Sequence, residues 1–361
     1  FPDRDGNIKK KIVLKVSDFR SAIIQGKFLA KKGLWVSEYR IESGLNCGGH
    51  AFATDGYLMG PILAEFRDKK QDLIDETYNV CKIALLAKNK IIPDQALSIK
   101  VTAQGGVGTA EEHNFLIDHY KLDSVGWGTP FLLVPEVTTV DYATRNQLQK
   151  ATEKDLYLSN VSPLGVPFNN LRNASKEVEK FEKIKENKPG SPCPRGFLAL
   201  RNEYRSEGIC TASRLYQKNK IDEEGLSEKI TDKSCLCMGL AATAVINHGI
   251  KNRESKGVSI CPGPNMAYFN KQLSLKEMSH FIYQGDEEIV REDRPNMFVK
   301  ELRLYIDYFK DKVLEHRKDW DRKSEKYLSV FSKNMNEGIL YYQELFQGMS
   351  AKFLNIKENV E

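Results

Sequence analysis

Three glycine-rich segments hold most of the residues whose types and spacing could do chemistry in this sequence. They are Gly44-Leu45-Asn46-Cys47-Gly48-Gly49-His50, Gln104-Gly105-Gly106-Val107-Gly108-Thr109 and Gly126-Trp127-Gly128-Thr129-Pro130-Phe131. Glycine allows the backbone to approach an anion closely and to point N–H groups at it. The second and third segments are therefore candidate phosphate-binding loops. Tight turns that bind no ligand are the alternative.

The second segment leads directly into a predicted helix. Thr109 is placed to cap that helix, and Glu112 is placed to complete a capping box. A helix N-terminus offers unpaired N–H groups and the positive end of a dipole, which both suit phosphate.

His50 ends the first segment, directly after two glycines. Histidine has an unperturbed pKa of about 6.5, which suits proton transfer near neutral pH. We therefore take His50 as a candidate catalytic residue. A histidine that only hydrogen-bonds its own loop is the alternative.

Five of the seven cysteines lie between residues 193 and 261. Several of them neighbour glycine or proline, where thiolate ligands often occur. No C-x2-C pair is present, and the spacing matches no standard zinc or iron–sulfur signature. Buried, inert thiols, an iron–sulfur cluster and a zinc ion all stay open here. The candidate metal ligands are Cys193, Cys210, Cys235 and Cys237.

Strands and helices are predicted to alternate in the first 134 residues. The patterns predict strands at 11–16, 36–44, 96–104 and 123–134, and helices at 17–33, 61–90 and 110–120. This order indicates βαβ units, and hence an α/β fold with a parallel sheet. Ligands bind such sheets beyond the carboxyl ends of the strands, which is where the glycine segments fall.

The rest of the chain is less regular. We divide the sequence into the βα segment 1–145, an irregular Pro/Gly/Cys-containing region 146–272 with a short charged helix at about 174–186, and a helical extension 273–361. Ser274 with Glu277 matches a capping box at the start of the extension. The residues 296–350 alternate apolar and charged side chains at helical spacing, which predicts a solvated helical appendage.

The composition is that of an ordinary globular protein. Of the 361 residues, 41% are hydrophobic and 29% are charged, and the net charge is only +5. So small an excess does not indicate nucleic-acid binding. No run of about 18 apolar residues and no signal peptide occur, so we expect a cytoplasmic protein with no membrane partner.

The strings ESGLNCGGH, IKVTAQGGVGT and DSVGWGTPFL together resemble the nitronate monooxygenase group of FMN-dependent (β/α)8 barrels, which includes the flavin-type enoyl reductases. The resemblance covers roughly residues 10–140. It implies an FMN cofactor, with the phosphate held by the last two loops and with histidine as base or proton donor. By this resemblance His50 is catalytic, and the cofactor-binding residues are Gly48, Gly49, Gly105, Gly106, Gly128 and Thr129.

The resemblance also implies a fold and a partner. Four strands correspond to the C-terminal half of a TIM-like barrel, which has eight. We therefore expect a companion segment or chain to supply the early strands. The implied function is an oxidoreductase that exchanges hydride or electrons between FMN and a small organic substrate. The alternative is a non-catalytic barrel subunit or scaffold that binds a phosphate ligand and a protein partner.

Overall fold

The computed structural model describes residues 1–3, 5–46, 55–193, 195–252, 256–285, 289–317 and 321–347. The chain forms two compact units. Unit 1 comprises Phe1–Leu45, Ala51–Trp127 and Asp293–Glu361, and unit 2 comprises Asn46–His50 and Gly128–Glu292. Unit 1 contains both the chain up to Trp127 and the chain from Asp293 onward. The predicted boundaries at residues 145 and 272 place these two parts in separate domains.

The described strands and helices follow one another along the chain in the predicted alternation up to residue 126. The strands are β1 (Ile12–Val16), β2 (Val36–Glu42), β3 (Lys100–Gln104), β4 (Ser124–Gly126), β5 (Leu156–Ser159) and β6 (Phe168–Leu171). The helices are α1 (Phe19–Ala30), α2 (Met59–Asp68), α3 (Lys70–Ala87), α4 (Ala110–Tyr120), α5 (Tyr142–Lys150), α6 (Ser175–Lys185), α7 (Arg214–Glu224), α8 (Glu228–Thr231), α9 (Leu236–Asn247), α10 (Leu275–Gln284), α11 (Met297–His316) and α12 (Arg322–Gln347).

Unit 1 is built on a four-stranded parallel sheet in the order β1-β2-β3-β4. Glu42 pairs with Gln104, and Gln104 pairs with Gly126, so the carboxyl ends of three strands meet at one edge. The predicted α/β class with a parallel sheet is confirmed. The glycine segments follow the strands at this edge, as the sequence predicts.

The fourth strand is shorter than the predicted range 123–134. It ends at Gly126, and Thr129–Leu133 form a 3-10 helix instead. Pro130 is the physical reason, because its ring fixes φ and it has no N–H for a sheet partner.

The C-terminal helices α11 and α12 are part of the core of unit 1. The predicted solvated appendage is therefore wrong for this segment. Phe298, Tyr305, Phe331 and Tyr342 are all less than 5% exposed and belong to the same apolar cluster as the buried strand residues. The rings of Phe298 and Tyr342 lie 5.2 Å apart. The aromatic side chains of both helices are thus buried in the core, whereas a solvated appendage would leave them exposed to water.

The sheet has one apolar and one polar face. Tyr39, Ile41, Val101 and Ala103 alternate with the polar residues and are buried in the core. On the opposite face, Glu38 accepts hydrogen bonds from Arg40 at 2.7 Å and from Thr102 at 2.8 Å. Glu42 accepts a hydrogen bond from the side-chain amide of Gln104 and forms an ion pair with Lys15. The polar residues of this face therefore satisfy one another across neighbouring strands.

Unit 2 contains more regular structure than the sequence predicts for 146–272. The strands β5 and β6 form an antiparallel pair in which Leu156 faces Leu171, and α7 and α9 were not predicted. The predicted charged helix is present as α6. The capping box at Ser274 and Glu277 is confirmed at the start of α10.

The longest helices are α11 and α12, and both carry charged side chains along their length. Within the described ranges no helix combines the length and the apolar character needed to cross a bilayer.

Glu301 of α11 is a buried carboxyl group in unit 1, with 2% of its surface exposed. Its Oε2 accepts the backbone N–H of Met59 at 2.9 Å and the hydroxyl of Tyr342 at 3.4 Å, and Ser43 also hydrogen-bonds the carboxyl. Burial raises the pKa of Glu301 to about 7, although these hydrogen bonds oppose the shift.

This raised pKa predicts a loss of stability between about pH 4.5 and pH 7. In that window the Glu301 carboxyl ionises in the unfolded chain but stays protonated in the folded protein, because burial disfavours the charged form. The free energy of unfolding therefore falls by about 3 kcal/mol as the pH rises through the window. Glu301→Gln keeps a neutral group of the same shape and should remove this fall. Urea unfolding at pH 5 and pH 8 measures the change in the free energy of unfolding. Glu344→Gln, an exposed carboxylate on α12, is the control. An unchanged pH dependence in Glu301→Gln would contradict the assignment.

Candidate functional site

The loop between β3 and α4 contains two glycines in the left-handed region of φ. Gly105 has φ +100° and Gly106 has φ +91°. A Cβ atom on Gly106 would lie 2.8 Å from Cδ1 of Leu45, closer than side chains approach. Gly106 is therefore required by the backbone conformation and by packing within unit 1. Loss of flavin in a Gly106 variant would for this reason not report a phosphate contact.

The N-cap predicted at the start of α4 is confirmed. The hydroxyl of Thr109 accepts the backbone N–H of Glu112 at 3.2 Å. The Glu112 carboxylate, however, accepts the N–H of Gly108 at 2.8 Å, one residue before the position that a capping box requires. The amide of Gly108, which lies in the candidate phosphate-binding loop, thus has a partner inside the chain.

Arg294 pairs with Glu112 through two hydrogen bonds of 2.8 Å, and each side chain is only 4% exposed. The guanidinium also donates to the carbonyl of Gly106 at 2.7 Å, and the carboxylate accepts the N–H of Met297 at 2.8 Å. A Cβ atom on Gly108 would lie 2.5 Å from Cζ of Arg294. The guanidinium thus packs directly against this glycine.

The arrangement places a protein carboxylate at the N-terminus of α4, where the sequence predicts a phosphate. An anion at this end of a helix is stabilised by the dipole and by unpaired N–H groups. Glu112 and Arg294 are 182 residues apart in sequence, so no local pattern predicts their contact.

In unit 2, the proposed phosphate residues Gly128 and Thr129 have different environments. Gly128 is exposed and has φ −130°, outside the left-handed region that favours glycine. Thr129 is buried, and its hydroxyl donates to the carbonyl of Pro262 at 3.3 Å. The Thr129 hydroxyl proton is therefore used within the protein, whereas the φ of Gly128 does not by itself require glycine.

His113 is a titratable residue in unit 1 that the sequence analysis did not single out. Its Nδ1 accepts the indole N–H of Trp127, the residue that follows β4, at 3.0 Å. Burial lowers the pKa of His113. The imidazole is therefore neutral at pH 7 and carries its proton on Nε2. His50 was singled out because it follows two glycines. His113 lies one turn into α4 with no glycine next to it in sequence, so that pattern does not identify it.

The proposed catalytic residue His50 lies outside the described residues, together with Cys47, Gly48 and Gly49. Their predicted roles stay predictions. The residues before them are described: the hydroxyl of Ser43 accepts the N–H of Leu45 at 3.1 Å, immediately after β2.

The four cysteines predicted as metal ligands all lie in unit 2. Cys210 and Cys235 are buried, Cys237 is partly buried and Cys193 is exposed, and all four are thiols rather than disulfides. Across the described ranges, no three or more His, Cys, Asp or Glu side chains are already grouped to hold a metal ion.

Neither the known protein families nor the curated protein sequences match this chain.

The buried ion pair predicts a large loss of stability when one partner is removed. Arg294→Met should lower the free energy of unfolding by about 3–5 kcal/mol, because the Glu112 charge stays buried without its partner. The double variant Glu112→Gln/Arg294→Met should be less destabilised than Arg294→Met alone. Urea unfolding measures the free energy of unfolding of the single and the double variant. Lys69→Met, which breaks the exposed pair with Glu65, is the control and should change little. Equal losses in the single and double variants would show that packing, not charge, is responsible.

Proposed function

We propose that this chain belongs to an FMN-dependent oxidoreductase similar to nitronate monooxygenases, which exchanges hydride or electrons between the flavin and a small organic substrate. One observation carries the proposal: four parallel strands lie in consecutive order, and glycine segments follow β2, β3 and β4 at their carboxyl ends. A doubly wound nucleotide-binding sheet reverses its strand order at the ligand site. A consecutive order is instead that of a run of strands from a (β/α)8 barrel.

The proposed phosphate contacts are made by the main chain of Gly105, Gly106 and Gly128. The hydroxyl proton of Thr129 is a weaker candidate, because it already has a partner in the protein. FMN, when bound, would supply the group that accepts or returns the hydride. The protein residues would orient the cofactor through its phosphate.

His50 would take a proton from the substrate or deliver one to it. Its ordinary pKa lies close to neutral pH, so both protonation states are accessible. Gly48 and Gly49 before it would allow close approach of the backbone to the cofactor. The proposal also includes a companion segment or chain, because four strands do not close a barrel of eight.

A second candidate function is a non-catalytic subunit or scaffold. The observation in its favour is the Glu112–Arg294 pair, which occupies the N-terminus of α4. In this case the glycines of the loop serve the packing of unit 1, and the protein binds a phosphate ligand elsewhere or a protein partner.

Cofactor content distinguishes the two functions. The complete polypeptide, with any companion chain, is incubated with FMN and desalted, and the flavin-to-protein ratio is measured from the visible spectrum. A ratio near one supports the oxidoreductase. A colourless protein after this treatment supports the scaffold.

Gly128→Asp tests the phosphate contact at an exposed position whose φ lies outside the left-handed region. An added carboxylate repels the phosphate, so FMN affinity should fall at least about tenfold, which corresponds to 1.4 kcal/mol. Fluorescence titration with FMN measures the affinity. Asn202→Asp, at an exposed residue of unit 2, is the control for added charge. Unchanged affinity in Gly128→Asp would remove Gly128 from the site.

His50→Ala tests the proton-transfer role. Turnover per bound flavin should fall about 10²–10⁴-fold, the usual contribution of one general acid or base. FMN should stay bound, because the proposed phosphate contacts lie on other loops. Near-normal turnover per flavin, with flavin content or stability lost instead, would mean that His50 only braces its loop.

A further inference from the structure

A cavity of about 400 Å³ lies in unit 2 where two chain segments run side by side. The N–H of Ser191 donates to the carbonyl of Ala212 at 3.0 Å, and the N–H of Arg214 donates to the carbonyl of Ser191 at 2.9 Å. These two bonds hold the chain at Ser191 against the start of α7. Ser213, Arg214 and Leu215 line the cavity together with Ser191, so the N-terminus of α7 forms part of its wall.

The first turn of α7 leaves one backbone N–H for a ligand. Ser213 is the N-cap residue, and its hydroxyl accepts the N–H of Tyr216 at 3.2 Å. The N–H of Arg214 is used by Ser191. The N–H of Leu215 takes part in no hydrogen bond among the described residues, and Leu215 lines the cavity. The helix has 11 residues, and the positive end of its dipole adds to this donor.

The side chain of Ser191 points to a ligand independently of the helix. The residue is only 7% exposed, yet its hydroxyl hydrogen-bonds no group in the part of the chain that the structure describes. Unlike the hydroxyl of Thr211, it is not sealed from solvent, so it opens toward the cavity that Ser191 lines. Buried polar groups are nearly always paired, and an exception calls for a physical reason such as a bound ion. This hydroxyl is free to donate its proton to an anion.

The charged side chains on the cavity wall are cationic. Arg205 and Arg214 line the cavity, and no Asp or Glu occurs among its described lining residues. Neither guanidinium forms an ion pair or a hydrogen bond within the described ranges. Both residues are exposed, so their side chains can turn toward an anion in the cavity. A guanidinium carries five N–H donors in a planar fork that matches the oxygens of a phosphate or a carboxylate.

The remainder of the wall offers apolar contacts. Pro192, Ala199 and Ile209 line the cavity beside these donors. Its volume falls within the range of small-molecule sites, about 300–1,000 Å³, and exceeds what a single oxyanion fills. The cavity therefore suits an organic anion whose carbon skeleton contacts the apolar residues while its charged group reaches the arginines.

We propose that this cavity binds a small organic phosphate. A phosphate monoester carries a charge of about −1.5 to −2 at pH 7 and has three strong acceptor oxygens. Two cationic side chains, the N–H of Leu215 and the hydroxyl of Ser191 match this group better than a carboxylate, which has one charge and two oxygens. None of the residues proposed above for the FMN phosphate lines the cavity, so the site is a second one.

Isothermal titration calorimetry of the full, flavin-free chain tests the ligand class. The probes are phenyl phosphate, benzoate and inorganic phosphate. Phenyl phosphate should bind at least about tenfold more tightly than benzoate, which has the same ring but less charge and fewer acceptors. It should also bind more tightly than inorganic phosphate, which lacks the ring. Equal affinity for benzoate or for inorganic phosphate, or no binding of phenyl phosphate at millimolar concentrations, would overturn the proposal.

Variants locate the site. Arg205→Gln and Arg214→Gln should each lower the affinity for phenyl phosphate about tenfold or more, because each removes a charged hydrogen-bond donor. Ser191→Ala keeps both backbone bonds and should lower the affinity about threefold, as expected for one neutral hydrogen bond. Lys218→Gln is the matched control, because it removes the same charge from an exposed position of α7 that does not line the cavity.

Two outcomes would refute the assignment: full affinity in both arginine variants, or an equal loss of affinity in Lys218→Gln. The measurement uses no flavin, and Gly128→Asp should leave the affinity for phenyl phosphate unchanged. This proposal and the proposed function can therefore fail separately.

Discussion

A single buried carboxylate determines much of how unit 1 is put together. Glu112 has four hydrogen-bond donors around it: the amides of Gly108 and Met297 and two groups of Arg294. A charge buried to this degree is tolerated only when it is fully paired. The pairing fixes the first turn of α4, brings the start of α11 against it, and excludes a side chain at Gly108. Local backbone geometry and a contact across 182 residues thus depend on one another.

This dependence gives the glycines of the β3–α4 loop a structural role. A run such as Gly105-Gly106-Val107-Gly108 is usually interpreted as a place where a phosphate approaches the backbone. Here the absence of side chains at Gly106 and Gly108 has a sufficient cause in Leu45 and Arg294. Gly128 is exposed, and its φ lies outside the left-handed region. A ligand contact would therefore explain this isolated glycine better than it explains the richer loop.

Local patterns predicted the first 126 residues well, because each signal there is set by neighbouring residues. Thr109 caps α4 as predicted, and periodicity identifies the strands. The misses have non-local causes. The strands β5 and β6 have four residues each, too few for a period-2 pattern to stand out among proline and glycine. The helices α11 and α12 look amphipathic and solvated in isolation, and only their aromatic contacts in the core show otherwise. The partner of Glu112 is likewise invisible to any local pattern.

The polar face of the sheet bears on how the strands are covered. Barrel interiors are usually filled by Val, Ile and Leu. The polar face of this sheet instead carries Glu38, Arg40, Thr102 and Gln104, which hydrogen-bond along and across the strands. Because these groups already satisfy one another, the face does not need an apolar layer against it, and an apolar layer would desolvate charges at a cost. Any strands that continue this sheet into a barrel would thus have to present polar side chains to it. In such a barrel, charge complementarity on this face would contribute more to closure than the volume of apolar side chains.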